Sequence, residues 1–216
     1  DSWTNVATNV AASTGALTNW DTTVHGSTLL GLWRVVSENN TNVLDATDTP
    51  FALNNGALAY YVNDGSTDGD VYTTAPGSSA NDGALHSQPA ASVSEILSRY
   101  TLHPGDSSYV DTGLYSLNST FLVDSAVLGT ATNPIVIQGS TNEAAGGTVF
   151  DRLQGDTAIE LRGTVGLSLR DFVVRRARRP IFVNGVTNVS FEYIGVEGGK
   201  NFLTETFGIE IQNSTT

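Results

Sequence analysis

Four carboxylates, Glu160, Asp171, Glu192 and Glu210, fall in strand-like runs of the C-terminal third of this 216-residue chain. Two such groups held roughly 6.5–9.5 Å apart can hydrolyse a glycosidic bond with inversion, one donating a proton and the other activating water. Glu160 and Glu210 each sit in the middle of an apolar-acid-apolar triplet, Ile159-Glu160-Leu161 and Ile209-Glu210-Ile211, so both point away from the apolar side. Phe182 holds that place in the intervening triplet and interrupts any ladder of acids. Asp171 and Glu192 occupy near-equivalent places, and stacked strands would bring them about 4.8 Å apart. They form either a carboxylate pair or two solvated acids beside arginines. Abstraction of a sugar proton needs a base, yet His25, His86 and His103 all precede this region and Lys200 lies in a Gly-containing loop. With no cysteine in the chain, thiol catalysis, thiolate metal sites and disulfides are excluded. No catalytic residue is assigned, and a non-catalytic role is expected.

The second chemical feature is a guanidinium cluster. Residues 1–151 hold fifteen acids and only Arg34 and Arg99, whereas residues 152–216 hold eight of the ten basic residues. Five of these are Arg170, Arg175, Arg176, Arg178 and Arg179, the last four in a loop expected over 175–180. Guanidinium forks bind carboxylate or sulfate in bidentate fashion. An anionic polysaccharide, or the acidic half of a neighbouring molecule, would suit the patch. The alternative is internal pairing with Asp171, Glu192 and Glu197 on adjacent strands.

A third feature is the run Asn63-Asp64-Gly65-Ser66-Thr67-Asp68-Gly69-Asp70. Asp64, Asp68 and Asp70 could gather oxygen ligands around a calcium ion. The spacing is not that of an EF-hand, because Ala75 stands where its terminal glutamate would be. The other reading is a set of turns in which Asp and Asn side chains bond their own backbone.

The formal charge of -12 argues against nucleic acid as a partner. No apolar run approaches the roughly 20 residues of a membrane span. A 39% hydrophobic content supports a folded core. The Ser/Thr/Asn-rich composition with a single lysine, and the absence of an initiating Met, suggest a processed or excerpted chain from a secreted, extracellular or cell-surface protein. Asn39, Asn118, Asn188 and Asn213 begin N-x-S/T triplets, which are glycan acceptors only in a eukaryotic secretory route.

The elements that must position these groups are strands. Leu29–Val36 reads as a core strand, with shorter candidates at Trp3–Ala7, Leu17–Trp20 and Phe51–Asn54. Ser92-Val93-Ser94-Glu95 is a capping box, and Val93, Ile96, Leu97 and Tyr100 give one apolar helical face, ended by His103-Pro104-Gly105. After that helix a repeat sets in. Ile159 and Ile181, Leu167 and Val189, Phe172 and Ile194, and Val174 and Val196 are all 22 residues apart. Further copies begin at Ile135, 24 residues before Ile159, and at Ile209, 28 after Ile181. Short strands at such a period predict a parallel solenoid whose successive coils share one core.

Two resemblances follow from these runs. Trp3, Val6-Ala7, Trp20-Asp21-Thr22, Leu32-Trp33-Arg34-Val35, Asp48-Thr49 and Phe51-Ala52-Leu53 resemble the second half of fibronectin-III/immunoglobulin-like modules of bacterial surface proteins. Those modules are spacers or adhesive units. The succession Tyr61-Val62-Asn63-Asp64, Asn81-Asp82-Gly83, the capped helix, Pro104–Val110, Gly113-Leu114-Tyr115 and Asn133–Gly139 resembles the cap and first coils of right-handed parallel β-helix proteins. That pectate-lyase-like group includes polysaccharide lyases, polygalacturonase-like hydrolases, mannuronan epimerases and bacterial surface proteins.

The expected fold is therefore all-β: a small or partial Ig-like β-sandwich segment over 1–56, then a right-handed parallel β-helix with an N-terminal capping helix over 57–216. The expected role is a non-catalytic structural or adhesive module of a repetitive surface protein, meeting like subunits end to end. The alternative is the N-terminal portion of a β-helix lyase, epimerase or glycoside hydrolase. Phe207, Ile209 and Ile211 mark the strand edge expected to carry the assembly, held in part by charge and so weakened by salt.

Overall fold

The computed structural model describes residues 3–11, 13, 17, 20–198 and 208–215. Among the described residues the structure is mainly β, with one short α-helix and a large parallel sheet. Its contacts divide it into two units, residues 1–56 and 57–216.

In the first unit, β1 (Thr28–Gly31) pairs antiparallel with β4 (Phe51–Leu53), and β2 (Arg34–Val36) pairs antiparallel with β3 (Leu44–Ala46). The single core strand expected over Leu29–Val36 is thus two strands in two sheets. The break follows Gly31, where the register with β4 shifts and the Phe51 ring packs closely against the glycine, 3.0 Å from where a Cβ would stand. Trp3–Ala7 is irregular rather than strand, as are Leu17 and Trp20, while residues 18 and 19 lie outside the described residues. Trp20 meets Trp33 edge-on at 4.5 Å, and Trp33 stacks on Phe51 at 6.5 Å. No described residue of this unit is fully buried, and β2 and β3 are exposed along their whole length. A two-stranded ribbon of this kind has little core of its own.

Among the described residues, the second unit holds nine strands in one sheet, joined by three parallel ladders. The first ladder runs through β5 (Ala59–Val62), β6 (Ser107–Val110), β9 (Ile135–Gly139), the start of β11 (Val165–Asn184) and the start of β12 (Thr187–Gly198). The second runs through β7 (Gly113–Ser116), the start of β10 (Thr148–Arg162), the middle of β11 and the end of β12. The third joins β8 (Phe121–Val123), the end of β10, the end of β11 and β13 (Ile209–Gln212). All four 22-residue pairs from the sequence are Cα partners: Ile159 with Ile181, Leu167 with Val189, Phe172 with Ile194, and Val174 with Val196. Ile209 likewise faces Ile181. Ile135 does not belong opposite Ile159. It pairs with Leu167 in the first ladder, because the intervening connections are longer here than in the later repeats.

The chain turns between ladders at left-handed residues, inside the long strands and in the connections between them, which recur with the repeat. Gly147, Asp171 and Tyr193 have φ of 63°, 55° and 54°, and Gly163, Gly185 and Asn213 have 66°, 65° and 48°. Alternate residues then face one core. Ile135, Ile137, Ile159, Leu161, Leu167, Leu169 and Ile181 are fully buried, each contributing roughly 1.5–3 kcal/mol of hydrophobic stabilisation. Tyr115, Phe121, Phe150 and Phe172 add an aromatic cluster with centroid separations of 5.1–6.1 Å. The expected helix is α1 (Val93–Arg99). Ser92 Oγ accepts from Glu95 N–H, and Glu95 Oε2 accepts from Ala91 N–H, one residue earlier than in the usual box. Val93 and Ile96 are buried, and the helix packs beside β6 and β8.

Backbone proximity makes Gly139 a sensitive position. A Cβ there would lie 2.1 Å from the Asp171 carbonyl oxygen, within backbone that has no rotamer to escape to. Gly139→Ala is expected to destabilise the protein by about 3 kcal/mol, read as a lowered urea midpoint. An unchanged midpoint would mean that the 139/171 contact is looser than described.

Candidate functional site

The five arginines all lie on β11, and the expected loop over 175–180 is strand, paired with β10 through a register shift between Asp151 and Gly155. That pairing places acids of β10 against them. Asp151 is fully covered and receives Arg175 Nε at 2.9 Å, Arg176 Nε at 2.7 Å and Arg176 Nη2 at 2.6 Å. Burial by itself raises the Asp151 carboxyl; the bonds from Arg176, the Leu153 N–H and Arg175 outweigh it and lower its pKa to about 2. Asp156 bonds Arg178 Nε and takes Arg179 Nη2 at 3.0 Å, and the Arg178 bond, above all, holds it below the usual carboxylate range. Arg170 contacts Glu192 at 3.3 Å, and Arg179 reaches Glu210 at 3.9 Å while lying over the Phe182 ring.

Internal pairing therefore prevails on this face: Glu192 pairs with Arg170 as expected, while the other acids are different ones. Asp151 and Asp156 take the places assigned to Asp171 and Glu197. The signal was present in the period: Asp151 lies 24 residues before Arg175 and is its Cα partner. Asp171 and Glu192 are not paired. Arg170 is the register partner of Glu192, and Asp171 sits at the left-handed corner accepting from Gln138 Nε2 at 2.7 Å. Glu160 and Glu210 do flank Phe182 in one row.

The 63–70 run folds as turns. Asp64 accepts from Ser66 N–H at 2.7 Å and from Leu114 N–H at 2.9 Å, while Asp68 is exposed. Asp70 Oδ2 accepts from Asn63 Nδ2 and Thr73 Oγ1. Burial, then the charge of Asp111, raises the Asp70 carboxyl. Asp64, Asp68 and Asp70 do not converge on one point, and among the described residues no three His, Cys, Asp or Glu side chains are placed to hold a metal ion. Backbone N–H groups occupy both oxygens of Asp64, and the side chains of Asn63 and Thr73 take one oxygen of Asp70. The organising acid here is Asp111, fully buried, which accepts from the N–H groups of Val71, Tyr72, Thr73 and Thr112 and from Thr73 Oγ1. Its distance in sequence, about forty residues from the loop it holds, left no local signal.

The remaining feature is the strand edge formed by β12 and β13. Val189, Phe191, Ile194 and Val196 are half-buried, and Ile209 and Ile211 are 38% and 61% exposed, whereas their partners on β11 are buried. Phe207, the third residue expected at this edge, lies outside the described residues. No protein-family model, curated protein or solved structure matches the chain. No helix among the described residues is long and apolar enough to cross a membrane.

Proposed function

We propose that residues 57–216 form a right-handed parallel β-helix capped by α1, and that its role is structural: a non-catalytic extracellular or cell-surface module extended end to end at the β12/β13 edge. The observation that carries this reading is the contrast between the last two layers of the ladders. Leu167, Leu169, Phe172, Val174, Ile181 and Val183 on β11 are buried, while the corresponding Val189, Phe191, Ile194 and Val196 are half-buried and Ile209 and Ile211 are exposed. Surfaces of that kind recruit further strands. The paired arginines support the same reading, since they serve internal carboxylates rather than a bound polysaccharide. The 1–56 unit, with two small sheets and no fully buried residue among those described, is read as part of an Ig-like sandwich, a spacer or adhesive element.

Each arginine of the patch has an internal carboxylate partner, which reduces its attraction for a second copy, while Glu192, Glu197 and Glu210 add negative charge at the edge itself. Concentration-dependent association in sedimentation velocity is therefore expected to strengthen from low salt to about 0.5 M, where repulsion is screened. The Ile209→Thr/Ile211→Thr variant is expected to stay monomeric. A variant that associates like the wild type would remove the β12/β13 edge from the reading.

A further inference from the structure

A cavity of about 230 Å³ opens between the start of α1, the turn at 63–65 and the strands β7 and β8. Its floor is aromatic. Tyr115, Phe121 and Phe150 line it; Phe150 lies 5.6 Å from Tyr115 at 46° and 6.1 Å from Phe121 at 37°. The three rings therefore meet as tilted facets rather than one plane. Asp64, Ser94 and Ser116 stand among the remaining lining residues, and among the described residues no Lys, Arg or His lines the space. Each Asp64 oxygen accepts one backbone N–H, from Ser66 or Leu114, and keeps a further lone pair. The surroundings are acidic: residues 57–151 hold ten acids and a single arginine, Arg99, which donates to Asn81 O. Burial, and after it the charges of Asp64, Asp111 and Asp70, push the Tyr115 phenol up, so three carboxylates act on a ring of the floor itself.

We propose that this cavity binds a small organic cation, an ammonium group bearing apolar substituents, seated on the three rings with the Asp64 carboxylate beside it. Size sets the first limit. A cavity of about 150 Å³ holds benzene, so this one takes a single ring or an alkylated ammonium head and little more. Charge sets the second. Aromatic faces carry negative potential and attract a desolvated cation, and the neighbouring carboxylates add to that field while opposing an anion. A bare metal ion is poorly served, because calcium needs six to eight oxygen ligands and the lining supplies one carboxylate. The first turn of α1 also borders the space, and a helix start by itself favours an anion. That helix has only seven residues, and Glu95 in its first turn opposes the effect. The site lies among α1, β7 and β8 and is independent of the assembly reading at the β12/β13 edge.

The test titrates the 216-residue chain at low salt with three probes of one shape: choline, its neutral isostere 3,3-dimethylbutan-1-ol, and the anion 3,3-dimethylbutanoate. Amide NMR shifts read both affinity and place. Choline is expected to saturate, shifting amides 64–65, 93–94 and 114–117, and to bind about tenfold more tightly than the alcohol. Its affinity should fall as salt rises, and the carboxylate should bind least. Ser116→Phe, which fills the cavity from an exposed position, is expected to abolish the shifts with all three probes. Phe121→Leu removes one ring and is expected to weaken choline about fivefold while changing the alcohol far less. Asp64→Asn should likewise weaken choline alone, by about threefold, so either variant decides the matter if the other fails to fold by thermal melt. Equal binding of choline and the alcohol would reduce the site to an apolar hollow and overturn the cation proposal. Tighter binding of the carboxylate would assign the site to the helix start and overturn it as well. Absence of choline binding, or binding that persists in Ser116→Phe, would overturn it outright.

Discussion

Replacing Asp151 by alanine is expected to cost about 3–5 kcal/mol of stability. The carboxylate is fully covered and bonds two arginines, Arg175 and Arg176, at 2.6–2.9 Å. Removing one partner of a buried ion cluster leaves the others partly desolvated and unpaired, which is the expensive way to break it. The Leu153 N–H loses its acceptor as well, at a position where Leu153 and Gln154 hold left-handed backbone to turn the strand. The same carboxyl gives a pH dependence of definite sign. Its folded pKa of about 2 lies below the roughly 3.9 of an unfolded aspartate. The stabilisation is therefore complete above about pH 4 and is lost as pH falls from there towards 2, amounting to about 2.5 kcal/mol in full. Thermal melts of wild type and Asp151→Ala from pH 7 to pH 2 would show this, with the gap between them narrowing in acid. A gap that stays constant over that range would mean that the charge of Asp151 contributes nothing to folding.

How far the sequence reaches is visible in these same residues. The 22-residue spacing of Ile159 with Ile181 and Phe172 with Ile194 is a direct imprint of parallel register, because each apolar residue must meet its counterpart one layer on to bury a shared core. The helix was equally legible, since its cap and its apolar face are local patterns read within eight residues. Ile135 was misplaced because a fixed period fails where connections lengthen, and only backbone hydrogen bonds record that β9 meets the start of β11. The unequal coil lengths place their extra residues in a loop at 175–180, yet that stretch is strand, its arginines facing acids supplied by the neighbouring strand. Leu29–Val36 erred in the opposite direction. Propensity favoured one strand, but Gly31 under the Phe51 ring ends it.

Asp111 is the residue whose loss is expected to change the N-terminal end of the second unit most. It stands at the corner between β6 and β7, and its two oxygens collect four backbone N–H groups and one hydroxyl at 2.7–2.9 Å. Three of those N–H groups, from Val71, Tyr72 and Thr73, belong to the loop that also carries Asp64, Asp68 and Asp70. A buried donor without an acceptor costs about 1–3 kcal/mol, and water can reach only part of this corner once the loop stays in place. The loop therefore leaves, and Asp111→Ala is expected to cost about 3–5 kcal/mol. Asp111→Asn relieves little, because its amide presents a second donor to a site that needs only acceptors. Asp68→Ala is the control: this side chain is exposed, and its change is expected to stay within about 0.5 kcal/mol. Hydrogen exchange separates loop release from global unfolding. Amides 71–73 should lose protection in Asp111→Ala under conditions where those of β9 and β11 keep it. Release of the loop also removes the burial and the Asp111 charge that raise the Asp70 carboxyl, so its pKa should fall back towards that of an ordinary aspartate. Amides 71–73 that remain protected in Asp111→Ala would show that Asn63 and Thr112, which also bond this loop, suffice to hold it without the carboxylate.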